Sequence, residues 1–193
     1  MEEQRSVGVS RRELSSISLA AGAGMMVVSG AAHAASGLPP KSPPAADRFA
    51  IDDLYAAYLW SYDCSDEQGF LDLFTGDALV VGMGKVHSGR EAMGAWFRYL
   101  LDIRDREGDL WVHTAAHHHY VPAAKGWIVY SYATHFRSAP DGKSYGVRSL
   151  GYFVNHIVQE DGAWKFRRFS ISHWDKKAKP WTKPLPWAEA DKL

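Results

Sequence analysis

The sequence predicts an α+β fold in which helices come first and an antiparallel sheet follows. Apolar residues recur at helical spacing up to Asp105. From Gly108 onward, four segments rich in β-branched and aromatic residues are separated by turn sequences. The chain has 193 residues, 46% of them hydrophobic, which is enough to bury the core of one domain.

The first 34 residues predict an export signal. Arg11 and Arg12 precede a mildly apolar segment, residues 17–28, and small residues follow up to Ala34. The arginine pair resembles the twin-arginine signal, and general secretion is the alternative. The apolar segment is too short and too rich in Gly and Ala to span a bilayer. We therefore expect a periplasmic protein with no stable membrane anchor after cleavage, although a disordered tail or an anchor is the competing interpretation.

Three further segments follow the signal. Residues 35–46 are proline-rich and polar, as in an extended linker. The domain is expected at residues 47–175. Residues 176–193 contain three prolines and two tryptophans without periodicity, which predicts a C-terminal extended arm or a partly disordered tail.

Helices account for the first half of the domain. A first helix is predicted from Asp47, because apolar side chains recur at Ile51, Leu54, Tyr55, Tyr58, Leu59 and Tyr62. A short helical segment, EQGFLDLF, leads to a strand candidate at residues 78–84, and another helix is predicted at residues 91–105.

The second half of the domain predicts four strands. They are LWVHTAAHHHYV, GWIVYSYATHFRS, GVRSLGYFVNHIVQ and AWKFRRFSISHW. Turn sequences at residues 124–126, 140–142 and 161–162 separate them, which indicates an antiparallel meander.

Charge and cysteine content restrict the possible functions. Lys and Arg number 22, as do Asp and Glu, so the formal net charge is zero and nothing resembles the basic surface of a nucleic-acid binder. The single cysteine, Cys64, excludes an intrachain disulfide.

Several local sequences resemble the SnoaL-like branch of the nuclear transport factor 2-like superfamily. The similar segments are LYAAYLWSYDCSD, FLDLFTGDALV, HSGREAM and DGAWKFRRF, within residues 47–174. The resemblance implies a cone-shaped α+β barrel with an apolar pocket at its open end. It also implies a homodimer or homotrimer. Scytalone dehydratase and bile acid dehydratase are the most similar members in text, since Tyr58, Tyr62, Asp63 and His113 match their motifs.

These matches indicate a proton-transfer site. Asp63 continues the apolar stripe of the first helix, so its carboxylate should face the interior unless the helix end frays into solvent. Alternation along the first long strand places on one face Trp111, His113, Ala115, His117 and His119. A neutral histidine bonded to a buried aspartate is a typical base near pH 7. We predict Asp63, His113 and Tyr58 as catalytic residues, with Tyr62 and His117 beside the substrate.

Arg148 opens the third long strand, where alternation sets it beside Leu150 and Tyr152. It is predicted to bind substrate by holding an anionic or phenolate oxygen. Pairing with Asp63 or with surface carboxylates is the alternative.

No metal or cofactor is predicted. Residues i and i+2 on one face of a strand lie about 7 Å apart. The side chains of His113, His117 and His119 are therefore too far apart to share one zinc ion easily, and such an ion would need ligands from elsewhere in the chain.

The functional hypothesis is a cofactor-independent lyase of the dehydratase type. Its substrate would be a small hydrophobic alcohol, aromatic or polycyclic, because the segments are rich in tyrosine and tryptophan. An isomerase like ketosteroid isomerase and a non-catalytic binding or scaffold module of the same fold are the alternatives. Epoxide hydrolysis would require a second aspartate that the sequence does not place.

Overall fold

The computed structural model describes residues 42–175 and 178–192. The export signal predicted for residues 1–34 lies outside the described residues, as does most of the predicted linker. Every helix in the described part of the chain is too short or too polar to cross a membrane.

Three helices form one layer. They are α1 (Ala45–Asp63), α2 (Glu67–Asp72) and α3 (Gly89–Glu107). The start of α1 lies two residues before the predicted one, and the side chains buried along it match the predicted apolar stripe. Its last residue is Asp63, and the backbone N–H of Cys64 closes the final turn by donating to the carbonyl of Trp60.

Six strands form the other layer. They are β1 (Phe74–Gly82), β2 (Lys85–Ser88), β3 (Leu110–Pro122), β4 (Trp127–Ser138), β5 (Tyr145–Glu160) and β6 (Ala163–His173). Their order across the sheet is β2-β1-β6-β5-β4-β3. The predicted α+β class and the meander of four long strands are confirmed. The short strand β2 was not predicted.

The sheet is not wholly antiparallel, and this part of the prediction is wrong. Strand β1 pairs with β6 in parallel, with Val80 opposite Phe169, whereas all other neighbours are antiparallel. Antiparallel neighbours can follow a tight turn, but β1 and β6 are separated in sequence by α3 and four strands, so their relative direction is free of that constraint.

Aromatic side chains fill the core between the helices and the inner face of the sheet, which is the face toward α1. Phe70, Phe97, Phe166 and Phe169 are completely buried there. One polar pair lies among them, since the amide of Asn155 donates to the hydroxyl of Tyr55 at 2.8 Å. The side-chain oxygen of Asn155 also accepts the backbone N–H of Ser170 at 3.2 Å, so this amide is bonded on both sides within the core.

Two irregularities in the sheet change which side chains face the helices. The β3–β4 register shifts between Ala116 and His119, and His117 has a positive φ of 56°. The β4–β5 register shifts between His135 and Phe136, opposite Arg148. An extra residue in one strand reverses the alternation beyond it, so simple alternation fails at both places.

The C-terminal arm, residues 178–192, lies against the outer face of the sheet, opposite the helices. It contains 3-10 turns at Pro180–Thr182 and Ala190–Lys192. Trp187 is 2% exposed and packs in a second apolar cluster. Its partners there include Leu79, Ile128, Tyr130, Tyr152 and Val154.

Candidate active site

A cavity of about 560 Å³ opens between the inner face of the sheet and the ends of α1 and α3. We call it the inner cavity. Apolar and aromatic side chains form most of its wall, among them Trp96, Leu100, Ile103, Trp111 and Phe153. The polar groups of the wall include those of Tyr58, Tyr62, His113, His135 and Arg148. A largely apolar cavity with a few convergent polar groups is typical of a small-molecule site.

Asp63 and His113 meet at the wall of this cavity. The carboxylate oxygen Oδ1 lies 2.6 Å from Nδ1 of His113, and Oδ2 accepts the backbone N–H of the same residue at 2.9 Å. Their side chains are only 15% and 18% exposed. Asp63 is thus held inside by two bonds to β3, and the alternative of a frayed helix end in solvent is wrong.

This geometry fixes the proton on one ring nitrogen. A carboxylate at neutral pH only accepts hydrogen bonds, so Nδ1 of His113 carries the proton that it donates to Asp63. In the neutral ring, Nε2 is then left with a free lone pair. His113 lines the inner cavity, where such a nitrogen serves as a proton acceptor.

His135 lies directly beside this pair, on the neighbouring strand. It is the cross-strand partner of His113, and the two rings stack with centroids 4.2 Å apart. Burial, with the nearby charges of His113 and Arg148, lowers the pKa of His135 to about 3. His135 is therefore neutral at physiological pH. Sequence reasoning missed its role, because counting back from the turn at residues 124–126 would put Phe136 opposite His113, and the bulge in β3 shifts the pairing by one residue.

Tyr58 and Tyr62 supply hydroxyl groups next to the pair. The ring of Tyr62 meets the ring of His113 edge-on at 4.8 Å, and Tyr58 stacks beside Tyr62 at 6.3 Å. Burial is the main cause that raises the pKa of both tyrosines, and the charge of Asp63 adds to it. Both phenols stay protonated at neutral pH, so they can donate a proton or a hydrogen bond.

Arg148 lines the inner cavity but is paired with Glu107. One guanidinium nitrogen donates to Oε1 of Glu107 at 2.6 Å, and a second contacts Oε2. The guanidinium also lies 4.9 Å from the ring of Trp111. The predicted placement beside Tyr152 is wrong, because the bulge at this point turns Arg148 to the inner face, whereas Tyr152 lies on the outer one; Leu150 lines the inner cavity with Arg148.

His117 does not reach the inner cavity, contrary to the prediction. The bulge turns it toward Tyr132, with ring centroids 6.1 Å apart, and brings His118 to the inner face instead. His118 lies 3.2 Å from the carboxylate of Asp52 and 2.5 Å from the hydroxyl of Ser131. This second Asp–His contact between α1 and β3 was not predicted.

The histidines of β3 are therefore divided between the two faces of the sheet. His113 and His118 contact α1, whereas His119 stacks on Trp181 of the arm at 4.1 Å. Within residues 42–175 and 178–192, no group of three His, Cys, Asp or Glu side chains has the arrangement of a metal site.

A curved sheet closing on three helices around an apolar cavity defines the class of cystatin-like, or NTF2-like, folds. The model of one family within this class, the SnoaL-like domain, matches residues 43–170. This chain belongs to that SnoaL-like family. Among proteins of curated function, none matches it significantly.

Solved structures agree with the fold. Aln2 from a Streptomyces species is 23% identical, with a TM-score of 0.63 over 69% of this chain and 94% of that one. ActVI-ORFA from Streptomyces coelicolor is 18% identical, with a TM-score of 0.63 over 71% and 100%. A Nostoc punctiforme protein of unknown function with a cystatin-like fold is 18% identical, with a TM-score of 0.57 over 69% and 95%. At these identities the similarity shows a shared fold.

Proposed function

We propose that this protein is a cofactor-independent lyase of the dehydratase type, acting on a hydrophobic aromatic or polycyclic alcohol. The SnoaL-like family includes enzymes, which makes a catalytic role reasonable for this member. The observation that carries the proposal is the hydrogen-bonded pair of Asp63 and His113 at the wall of the inner cavity.

In the proposed reaction, Nε2 of His113 removes a proton from carbon next to a carbonyl or a phenol-activated position. The electron pair of that C–H bond moves into the carbonyl or ring system. It then forms the new double bond as the hydroxyl group on the neighbouring carbon leaves. The proton held by His113 can pass to the departing hydroxide, so that one water molecule is released. Asp63 stabilises the imidazolium while it carries the proton.

Tyr58 and Tyr62 are assigned to the oxygen on which negative charge develops. Both remain protonated because burial raises their pKa values, and both line the inner cavity. Hydrogen bonds to a developing oxyanion in an apolar site favour the transition state over the ground state. The many aromatic side chains of the wall suit a flat ring system, and the volume of about 560 Å³ admits two or three fused rings.

The test uses cyclic β-hydroxy ketones fused to aromatic rings. Elimination is followed by the absorbance of the new conjugated double bond, and by deuterium incorporation next to the carbonyl when D₂O is the solvent. Asp63→Asn and His113→Ala should each reduce turnover roughly 10²- to 10⁴-fold while ligand binding persists. In Asp63→Asn the amide can accept only one of the two donors of His113. Its NH₂ group can donate to Nδ1 of His113, which favours the tautomer with the proton on Nε2. That nitrogen then has no free lone pair with which to accept a proton.

Asp53→Asn is the matched control, because Asp53 is an exposed carboxylate on the same helix. It should leave turnover unchanged. Deuterium exchange without water loss would redirect the proposal to a double-bond isomerase, since the same pair can return the proton to another carbon. A third outcome would favour a binding module. In that case the wild type and both site variants bind the ligand equally well, and none of them shows turnover or deuterium exchange.

A further inference from the structure

A second cavity, of about 380 Å³, lies on the other side of the sheet, under the C-terminal arm. We call it the outer cavity. Tyr132 and Tyr152 line it, whereas their chain neighbours Ala133 and Gly151 line the inner cavity. The two cavities therefore share strands β4 and β5 and face opposite sides of them. The proposed function uses no residue of the outer cavity.

Five aromatic rings surround this space, from Tyr130, Tyr132, Tyr152, Trp174 and Trp181. The ring of Trp174 lies 5.4 Å from that of Tyr132 and 6.3 Å from that of Tyr152. On the other side, Trp181 lies 6.0 Å from Tyr130. Rings at such distances enclose a space whose walls suit the faces and edges of another flat ring.

Two of these tyrosines have mostly buried side chains and hydroxyl groups without a hydrogen bond to any described residue. Tyr130 and Tyr152 are 7% and 8% exposed, and within the described part of the chain no hydrogen bond is formed by either hydroxyl. Burial and the nearby phenol of Tyr152 raise the pKa of Tyr130, so Tyr130 remains a donor at neutral pH. Two unpartnered phenols that lie close together can donate to one acceptor group of a ligand.

The charge around the outer cavity is positive. This charge comes from Lys179, which lines the cavity with its ammonium group 6.0 Å from the ring of Trp181. The described residues that line it include no carboxylate. An aromatic enclosure would otherwise suit a quaternary ammonium group, but Lys179 repels a cation and attracts an anion.

His117 gives an independent indication that this wall is specialised. It is a non-glycine residue at φ 56°, within the bulge that brings both His117 and His119 to the outer cavity. A side chain held in this region of backbone space is strained, and such strain is concentrated at functional sites.

We propose that the outer cavity is a second binding site, for a flat aromatic carboxylate. The aromatic rings would stack on the ligand, while Tyr130, Tyr152 and Lys179 receive its carboxylate. The site is separate from the inner cavity, so it is suited to a regulatory or carrier role rather than to the elimination itself.

The test is isothermal titration calorimetry of the full chain with 2-naphthoate and with its neutral analogue 2-naphthylmethanol. Binding of 2-naphthoate should weaken roughly tenfold in Tyr152→Phe, because one hydrogen bond to a charged group is lost. It should weaken roughly threefold in Lys179→Met, because Lys179 is exposed and salt screens its charge. The neutral analogue should bind wild type roughly tenfold more weakly than 2-naphthoate.

Matched controls carry the same chemical changes elsewhere. Tyr145→Phe removes the hydroxyl of an exposed tyrosine, and Lys143→Met removes a charge on an exposed turn. Both should bind 2-naphthoate like wild type, and so should His113→Ala in the inner cavity. If Tyr152→Phe and Lys179→Met bind like their controls, or if His113→Ala alone abolishes binding, the outer site is refuted. Equal affinity for the neutral analogue would refute recognition of the carboxylate.

Discussion

Replacing Asp63 with asparagine tests the geometry of the candidate site through protein stability, independently of any substrate. The carboxylate accepts two hydrogen bonds from His113, at 2.6 and 2.9 Å, in a place where both side chains are mostly buried. A hydrogen bond to a charged group contributes about 1.5–3 kcal/mol, and a neutral one about 0.5–1.5 kcal/mol. Asparagine keeps the bond from the backbone N–H as a neutral one, can donate a second neutral bond to Nδ1 in the shifted tautomer, and avoids the cost of burying a charge. We therefore expect a net loss of about 2 kcal/mol in the free energy of unfolding.

Urea denaturation followed by circular dichroism measures this loss directly. For a chain of this size, about 2 kcal/mol corresponds to a decrease of about 4–8 °C in the melting temperature. Nitrogen NMR of the imidazole should also show the proton of His113 moving from Nδ1 in the wild type to Nε2 in the variant. The exposed Asp53→Asn on the same helix should change stability by less than about 0.5 kcal/mol. If Asp63→Asn matches that control and the tautomer stays the same, the pair does not hold the site as described.

Three other perturbations test separate parts of the molecule. Gly151→Ala would place a methyl group 2.4 Å from the backbone oxygen of Ser172. Urea denaturation should therefore show a loss of about 2–4 kcal/mol in the free energy of unfolding. An unchanged urea midpoint would mean that β5 and β6 are not packed this closely. His135 has a folded pKa of about 3 against an ordinary 6.5, so the unfolded chain takes up a proton first and stability declines as pH falls from 6.5 toward 3. His135→Gln should make that decline shallower, and an identical slope would contradict the assigned burial. Trp187→Ala should cost about 3 kcal/mol and expose the arm to limited proteolysis, whereas wild-type resistance would show that Trp187 does not anchor it.

The pairing of Asp63 with His113 could be predicted because each residue lies on a regular element. The helical period of α1 carries through to Asp63, and the alternation of β3 is intact from Trp111 to Ala115. Both rules hold locally, so they placed the two side chains on inward-facing surfaces, and the resemblance to the dehydratases selected His113 among the histidines of β3. The apolar stripe of α1 was predictable for the same reason.

The placements of His117 and Arg148 failed because each lies at a change of strand register. A bulge depends on how two strands pair, and the alternation within one strand carries no trace of it. The contact of His118 with Asp52 was missed for that reason. The position of Trp187 was equally inaccessible, because the arm has no periodicity and its place depends on an apolar patch formed by distant strands.

The parallel pairing of β1 with β6 has a consequence for how the chain folds. Phe74 pairs with Phe166, so the contact that joins these strands spans more than ninety residues. Strand β6 also lies between β1 and β5, and it alone connects the β1–β2 hairpin to the rest of the sheet. A ribosome-bound chain that ends before Ala163 lacks β6, so it cannot complete the sheet even if its helices have already formed. We expect slow folding with high contact order, and a nascent chain that exposes its aromatic core until the last strand is made.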